Sequence, residues 1–164
     1  MEEDKKKKVK RRKKQKWDIG DLFTILLSDG SFCVGEVVGY EPKALNSAIC
    51  AIYDYHISDV PDKAPILSED ELVSVQFVTR DSLDYGMWKI FAHASDEFPL
   101  GKYIDLEDRR NKGFIGTSSY GSGSITQLMN AYYKLLPWDH FFDPQYFDKI
   151  LVSPDKKPRD VIYK

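Results

Sequence analysis

Two strand-like runs joined by an Asp-Gly pair constrain this chain more tightly than anything else in it. Residues 21–27 and 32–40 are rich in Leu, Ile, Val and Phe, and Ser28-Asp29-Gly30-Ser31 separates them. Asp-Gly is favoured where a tight turn needs positive φ, so the segment predicts a β-hairpin. Gly35 and Gly39 fall inside the second run. A missing side chain there marks a bulge, a bend or a close approach of backbone. A chain that opens on such a hairpin extends outward from it as an antiparallel sheet.

Three further runs supply the extension. Residues 48–57 are β-branched and aromatic, 72–78 set Leu, Val and Phe among polar positions, and 88–93 return after a turn at 80–86. These predict strands three to five. Residues 94–124 are polar and contain Gly113, Gly116, Gly121 and Gly123. Ser124 with Gln127 forms a capping-box pair, and Ile125, Leu128, Met129, Tyr132 and Leu136 recur at helical spacing until Pro137. Asp143-Pro144 is a second helix start, with Phe147, Ile150 and Leu151 as its apolar stripe. The fold expected is α+β: a five-stranded antiparallel meander or small barrel followed by C-terminal helices.

The chain of 164 residues, 42% apolar and 13% aromatic, suits one globular domain. Its boundaries are expected at 17 and 152, with a basic disordered arm over 1–16 and an extended tail over 153–164. No apolar run approaches the roughly 18 residues of a membrane helix. The basic start leads into no apolar h-region, which argues against a secretory signal and points to the cytoplasm. Cys33 and Cys50 both fall in apolar strands, where small buried thiols are expected.

Charge divides the chain. Residues 1–16 hold ten of the 24 Lys and Arg and three of the 26 Asp and Glu, so the remainder carries an excess of nine negative charges. The arm can neutralise phosphates, but it lacks the interleaved aromatics of a stacking platform, and the acidic body behind it repels nucleic acid.

Ile19-Gly20-Asp21-x-Phe23, the Asp29-Gly30 turn, and Phe32-x-x-Gly35-x-Val37 resemble the opening of the Immunity protein 26 family. Gly86-x-Trp88 after Arg80 falls where that family tends to carry Gly-x-Trp. Leu136-Pro137-Trp138-Asp139 with Asp143-Pro144-x-Tyr146-Phe147 is similar to its close. The resemblance implies a bacterial antidote that binds and silences a partner toxin without catalysis.

The residues themselves present no catalytic signature. His56, His93 and His140 are scattered, and HExxH, paired CxxC and Gly-x-Ser-x-Gly are all missing from the sequence. Gly121-Ser122-Gly123-Ser124 ahead of a helix has the form of an anion cradle but lacks a Walker lysine, so a plain loop and cap is the simpler reading. No cofactor and no metal site is expected. The acidic excess sets up a field, and a toxin that is a nuclease needs a basic groove into which such a body is steered. The carboxylates expected to meet the partner are Asp81 and Asp84 in the turn after strand four, and Asp105, Glu107 and Asp108 in the polar segment. Tyr53, Tyr55, Tyr120 and Trp138 are expected as exposed aromatic anchors. Two other readings remain open: a barrel module whose basic arm engages nucleic acid, and a metal-dependent hydrolase.

Overall fold

The expected hairpin is present, and the sheet grows from it. The computed structural model describes residues 13–164, so most of the expected basic arm lies outside the described residues. β1 (Asp21–Leu26) and β2 (Phe32–Glu41) are joined through Gly30 at φ +88°. β3 (Ser47–Ile57), β4 (Leu72–Val78) and β5 (Trp88–His93) follow where the sequence places them. β1 to β4 run antiparallel in chain order, but β5 pairs with β1. A sixth strand, β6 (Ser119–Tyr120), lies parallel to the outer edge of β4. The order is β5-β1-β2-β3-β4-β6, an open mixed sheet of six strands and neither a five-stranded meander nor a barrel. The free edge of β4 is taken by β6, and the link 79–87, with the short helix α1 (Asp81–Asp84) in it, carries the chain to the opposite edge.

Both sheet faces are covered, which is why β2 is buried along nearly its whole length and β3 from Ser47 to Tyr53. On one face Phe23, Ile25, Cys33, Val37, Cys50 and Ile52 meet Ile125, Leu128 and Met129 of α3 (Ser122–Tyr132), together with Phe147 and Ile150. On the other, Val38, Ile49, Ala51, Tyr53, Val75 and Phe77 pack beneath residues 98–106 and Phe114. That second layer contains the short helix α2 (Leu106–Asn111). The two cysteines are free and buried, as expected, and burial pushes both thiols up.

Gly35 is the close approach that its position in the sequence announces. A Cβ built there overlaps the Phe23 ring, which stacks on Trp88 with centroids 4.8 Å apart. Gly35→Ala is therefore expected to cost about 1–3 kcal/mol through overpacking, read as a lower urea midpoint with an unchanged slope.

The helical part departs from expectation in two ways. α3 begins at Ser122, capped by Gly121 without a side-chain bond, so the Ser124–Gln127 box does not form. The helix starts earlier because the Ser122 amide donates to Thr79 Oγ1 at 2.9 Å and its hydroxyl to Asp81 at 2.8 Å. It ends at Tyr132, and Lys134 at φ +65° reverses the chain before Pro137 is reached. The second expected helix is a series of turns: the Asp143 carboxylate accepts from the Gln145 amide at 3.0 Å in an Asx turn. Phe147, Ile150 and Leu151 are buried as expected, but tertiary docking sets their backbone in place of helix propensity.

Both ends of the described chain are tied to the domain. The Gln15 amide donates to the Leu83 and Trp88 carbonyls, at 2.8 Å each, and accepts from the Ile90 N–H at 3.0 Å. It thereby satisfies one pair of backbone groups, the Trp88 carbonyl and the Ile90 N–H, on the outer edge of β5, an edge open to water or to another strand. At the C-terminus the Trp138 backbone N–H donates to the Ile162 carbonyl at 2.7 Å, and the Lys157 ammonium sits 5.5 Å over the Trp138 ring.

Candidate functional site

The carboxylates expected at a partner surface divide once their neighbours are known. Asp81 opens α1, and its carboxylate accepts from Thr79 Oγ1 at 2.6 Å and from Ser122 Oγ at 2.8 Å. Burial works against its charge, but these bonds hold it below the ordinary carboxylate range. At the Gly/Ser-rich start of α3, the Ser122 amide is taken by Thr79 and its hydroxyl by Asp81, and the Ser124 amide by the Gly121 carbonyl. Asp84 accepts from the Trp17 indole N–H at 2.8 Å and pairs with Arg80 at 3.5 Å. Asp81 ties the end of β4 and the start of α3 to α1, Asp84 ties the segment before β1 to it, and neither is a free surface charge.

Asp105 caps α2 by accepting from the Asp108 amide at 3.0 Å, and Asp108 pairs with Lys112 at 3.1 Å. Glu107 is exposed and its side chain makes no hydrogen bond or ion pair among the described residues. Of the expected acidic contacts, it alone is wholly available.

The aromatic expectations need correction. Tyr53 is only 3% exposed, within the second core layer, because its place on β3 faces residues 98–106. Trp138 is 1% exposed, since the expected tail folds back over it. Tyr55 and Tyr120 are half-buried, and Tyr120 lies edge-on to Tyr146 with centroids 6.1 Å apart.

A pocket of about 230 Å³ opens beside Tyr53, between the sheet and the loops at 64–67 and 94–99. Leu22 and Phe98 contribute its apolar wall, and Glu69, Asp96 and Glu97 also line it. Glu69 accepts from the Tyr103 hydroxyl at 2.5 Å and pairs with Lys102 at 3.3 Å. These bonds hold its carboxyl below the usual range.

Glu36 of β2 also faces this pocket. It belongs to a buried row across the sheet, Leu22–Glu36–Ala51–Val75, and is 6% exposed. Burial pushes its carboxyl up to about 7, while His93 pulls the other way. A buried carboxyl with a displaced pKa in a cleft is a mark of a functional site. Sequence reasoning passed over Glu36, although a carboxylate in the middle of an apolar strand was the available signal. The three histidines stay apart: His56 bonds Ser31, His93 bonds Asp21, and His140 lies beside Phe141. Among the described residues, no group of three His, Cys, Asp or Glu side chains is placed to hold a metal ion, and no helix is long and apolar enough to cross a membrane.

The family model described as Immunity protein 26 matches residues 18–113, more than half of the chain. The chain belongs to this family. The matched region includes the β1–β2 hairpin, Gly86-x-Trp88 and every residue of the pocket, whereas the C-terminal stretch 136–151 lies beyond it. No curated protein and no solved structure matches the chain. Immunity protein 26 membership thus implies a toxin as partner, and the geometry above describes the surfaces available to meet it.

Proposed function

We propose that this chain neutralises a bacterial toxin in the cytoplasm by stoichiometric, non-catalytic binding. The observation that carries this reading is the family match over residues 18–113. The acidic excess of residues 17–164 supports it. A body of this charge is drawn to a toxin with a basic face, and a nuclease, which must hold phosphates, is the chemistry that fits best.

The test is to co-produce the chain with the protein encoded by the adjacent reading frame. An equimolar complex and rescue of cells from that protein's toxicity are expected. Toxicity that persists at equal abundance, with no complex in solution, refutes the proposal. Within such a complex the α2 carboxylates act mainly on encounter. Glu107→Lys combined with Asp108→Lys is expected to slow association roughly 3–10-fold at low salt and to flatten its salt dependence. Its stability is expected to stay within about 0.5 kcal/mol of the parent's. Asp81→Lys is a poor probe of the surface, because it breaks the bonds from Thr79 and Ser122. An unchanged association rate in the α2 double variant overturns steering by this helix.

A further inference from the structure

β2 contains two buried glutamates, and they are treated in opposite ways. Glu41, 5% exposed, meets the Arg110 guanidinium at 2.8 Å, the arrangement expected of a buried carboxylate in a finished fold. Glu36 is as little exposed overall, yet its carboxylate, which keeps contact with solvent at the pocket, makes no hydrogen bond or ion pair among the described residues. The nearest basic group acting on it, His93, is committed to Asp21 at 2.9 Å. No Lys or Arg lines the pocket that Glu36 faces. Its mouth adds Asp96 and Glu97, beside Glu69 already paired with Lys102, so an anion is repelled and a cation is drawn in.

We infer that this pocket receives the side chain of a lysine or arginine projected from the partner protein. The alkyl stem lies along Leu22, Tyr53 and Phe98, and the charged head reaches the Glu36 carboxylate that the fold leaves unpaired. The inference rests on the inhibitor reading above and deepens it by naming the anchor point. Size favours one side chain over a whole small molecule: clefts for drug-sized ligands run about 300–1,000 Å³, and this one is about 230 Å³. Ile66, almost fully exposed at the rim, offers apolar surface to whatever surrounds the inserted residue. A cation closing on Glu36 supplies the partner that a buried carboxylate requires, the desolvated charge contact from which interface hot spots are made.

The head binds the ionised carboxylate, so binding releases a proton near neutral pH and tightens as pH rises. The charged and titratable groups facing Glu36 are Tyr53 from β3, His93 from β5, Glu69 from the turn before β4, and Asp96 and Glu97 from the 94–99 loop. Because Glu36 titrates at about 7, apparent affinity scales with its ionised fraction, and a cation is expected to bind about tenfold tighter at pH 8 than at pH 6.

The test has two arms. In the first, n-butylguanidinium is titrated into the isotopically labelled protein, with neutral n-butylurea as the control. Saturable shifts at Leu22, Glu36 and Ala94 are expected with the cation alone. They are expected to weaken at least tenfold in Glu36→Gln, which keeps the shape and removes the charge. No saturable shift, equal binding by butylurea, or undiminished binding by Glu36→Gln overturns the site. The second arm measures Glu36→Gln in the complex with the adjacent-frame protein. At least tenfold faster dissociation is expected, with a free variant that stays folded and melts no lower than the parent. A wild-type complex that the substitution leaves equally tight overturns the partner side chain and assigns the pocket to a free alkyl cation. If no complex forms, the inhibitor reading fails, and with it the partner's role as source. The butylguanidinium arm still reads the pocket's chemistry separately.

Discussion

Phe147→Ala is expected to lower the free energy of unfolding by about 3–5 kcal/mol, a large part of the roughly 5–15 kcal/mol that holds a domain folded. Phe147 is fully buried and touches three aromatic neighbours: Trp138 and Phe141 with centroids 5.4 Å away, and Tyr146 at 6.0 Å. The segment around it is a run of turns, without a regular helical ladder to keep its shape once the ring is gone. The cavity therefore opens at the junction of the C-terminal segment with the sheet. Leu128→Ala, on the facing side of α3, is expected to cost about 2–5 kcal/mol by the same route. Urea titration followed by tryptophan fluorescence reads both, since Trp88 and Trp138 lie in the affected core. A Phe147→Ala protein that unfolds at the parent's midpoint shows that the C-terminal segment is not docked as described.

The second large effect concerns pH. The folded protein holds Glu36 at about 7 against an ordinary value of 4.5, so between these values the folded state binds more protons than the unfolded one. Stability linked to this group is complete below about pH 4.5 and is lost as pH rises through about 7. After allowance for solvent at the pocket mouth, the loss is on the order of 2 kcal/mol. Gln has no proton to lose. The gap in unfolding free energy between parent and Glu36→Gln is therefore expected to widen by that amount between pH 4.5 and 8, the variant gaining on the parent. Parallel stability curves across this range contradict a buried, unpaired carboxylate at position 36.

The elements most legible in the sequence are those specified by their own neighbours. Both ends of β4 and β5 fall where the apolar runs begin and end, because strand period and β-branched content act over a few residues. Asp29-Gly30 marks the turn, and Gly35 marks the close approach under Phe23. Helix boundaries were less legible. The Ser124–Gln127 pair has the right spacing for a cap, but the start of α3 is set by Thr79 and Asp81, more than 40 residues away in sequence. Asp143-Pro144 has the form of a helix start, yet its backbone follows the docking of Phe147 and Ile150.

Site residues divide on the same line. Composition exposes the acidic character of the body, and residue type marks each carboxylate as a possible contact. Neither reveals that Asp84 is spent on Trp17 and Asp81 on Thr79 and Ser122, or that Tyr53 and Trp138 lie under other segments. By itself the sequence determined an α+β domain built on an N-terminal hairpin, its strands, its charge division and its likeness to Immunity protein 26. Only the tertiary structure decided that β5 closes on β1, that six strands form an open sheet, and that Glu41 has a cation while Glu36 has a pocket. The physical reason is range. Turn chemistry and strand period are written in adjacent residues, whereas burial and the pairing of a charge depend on every element that packs against it.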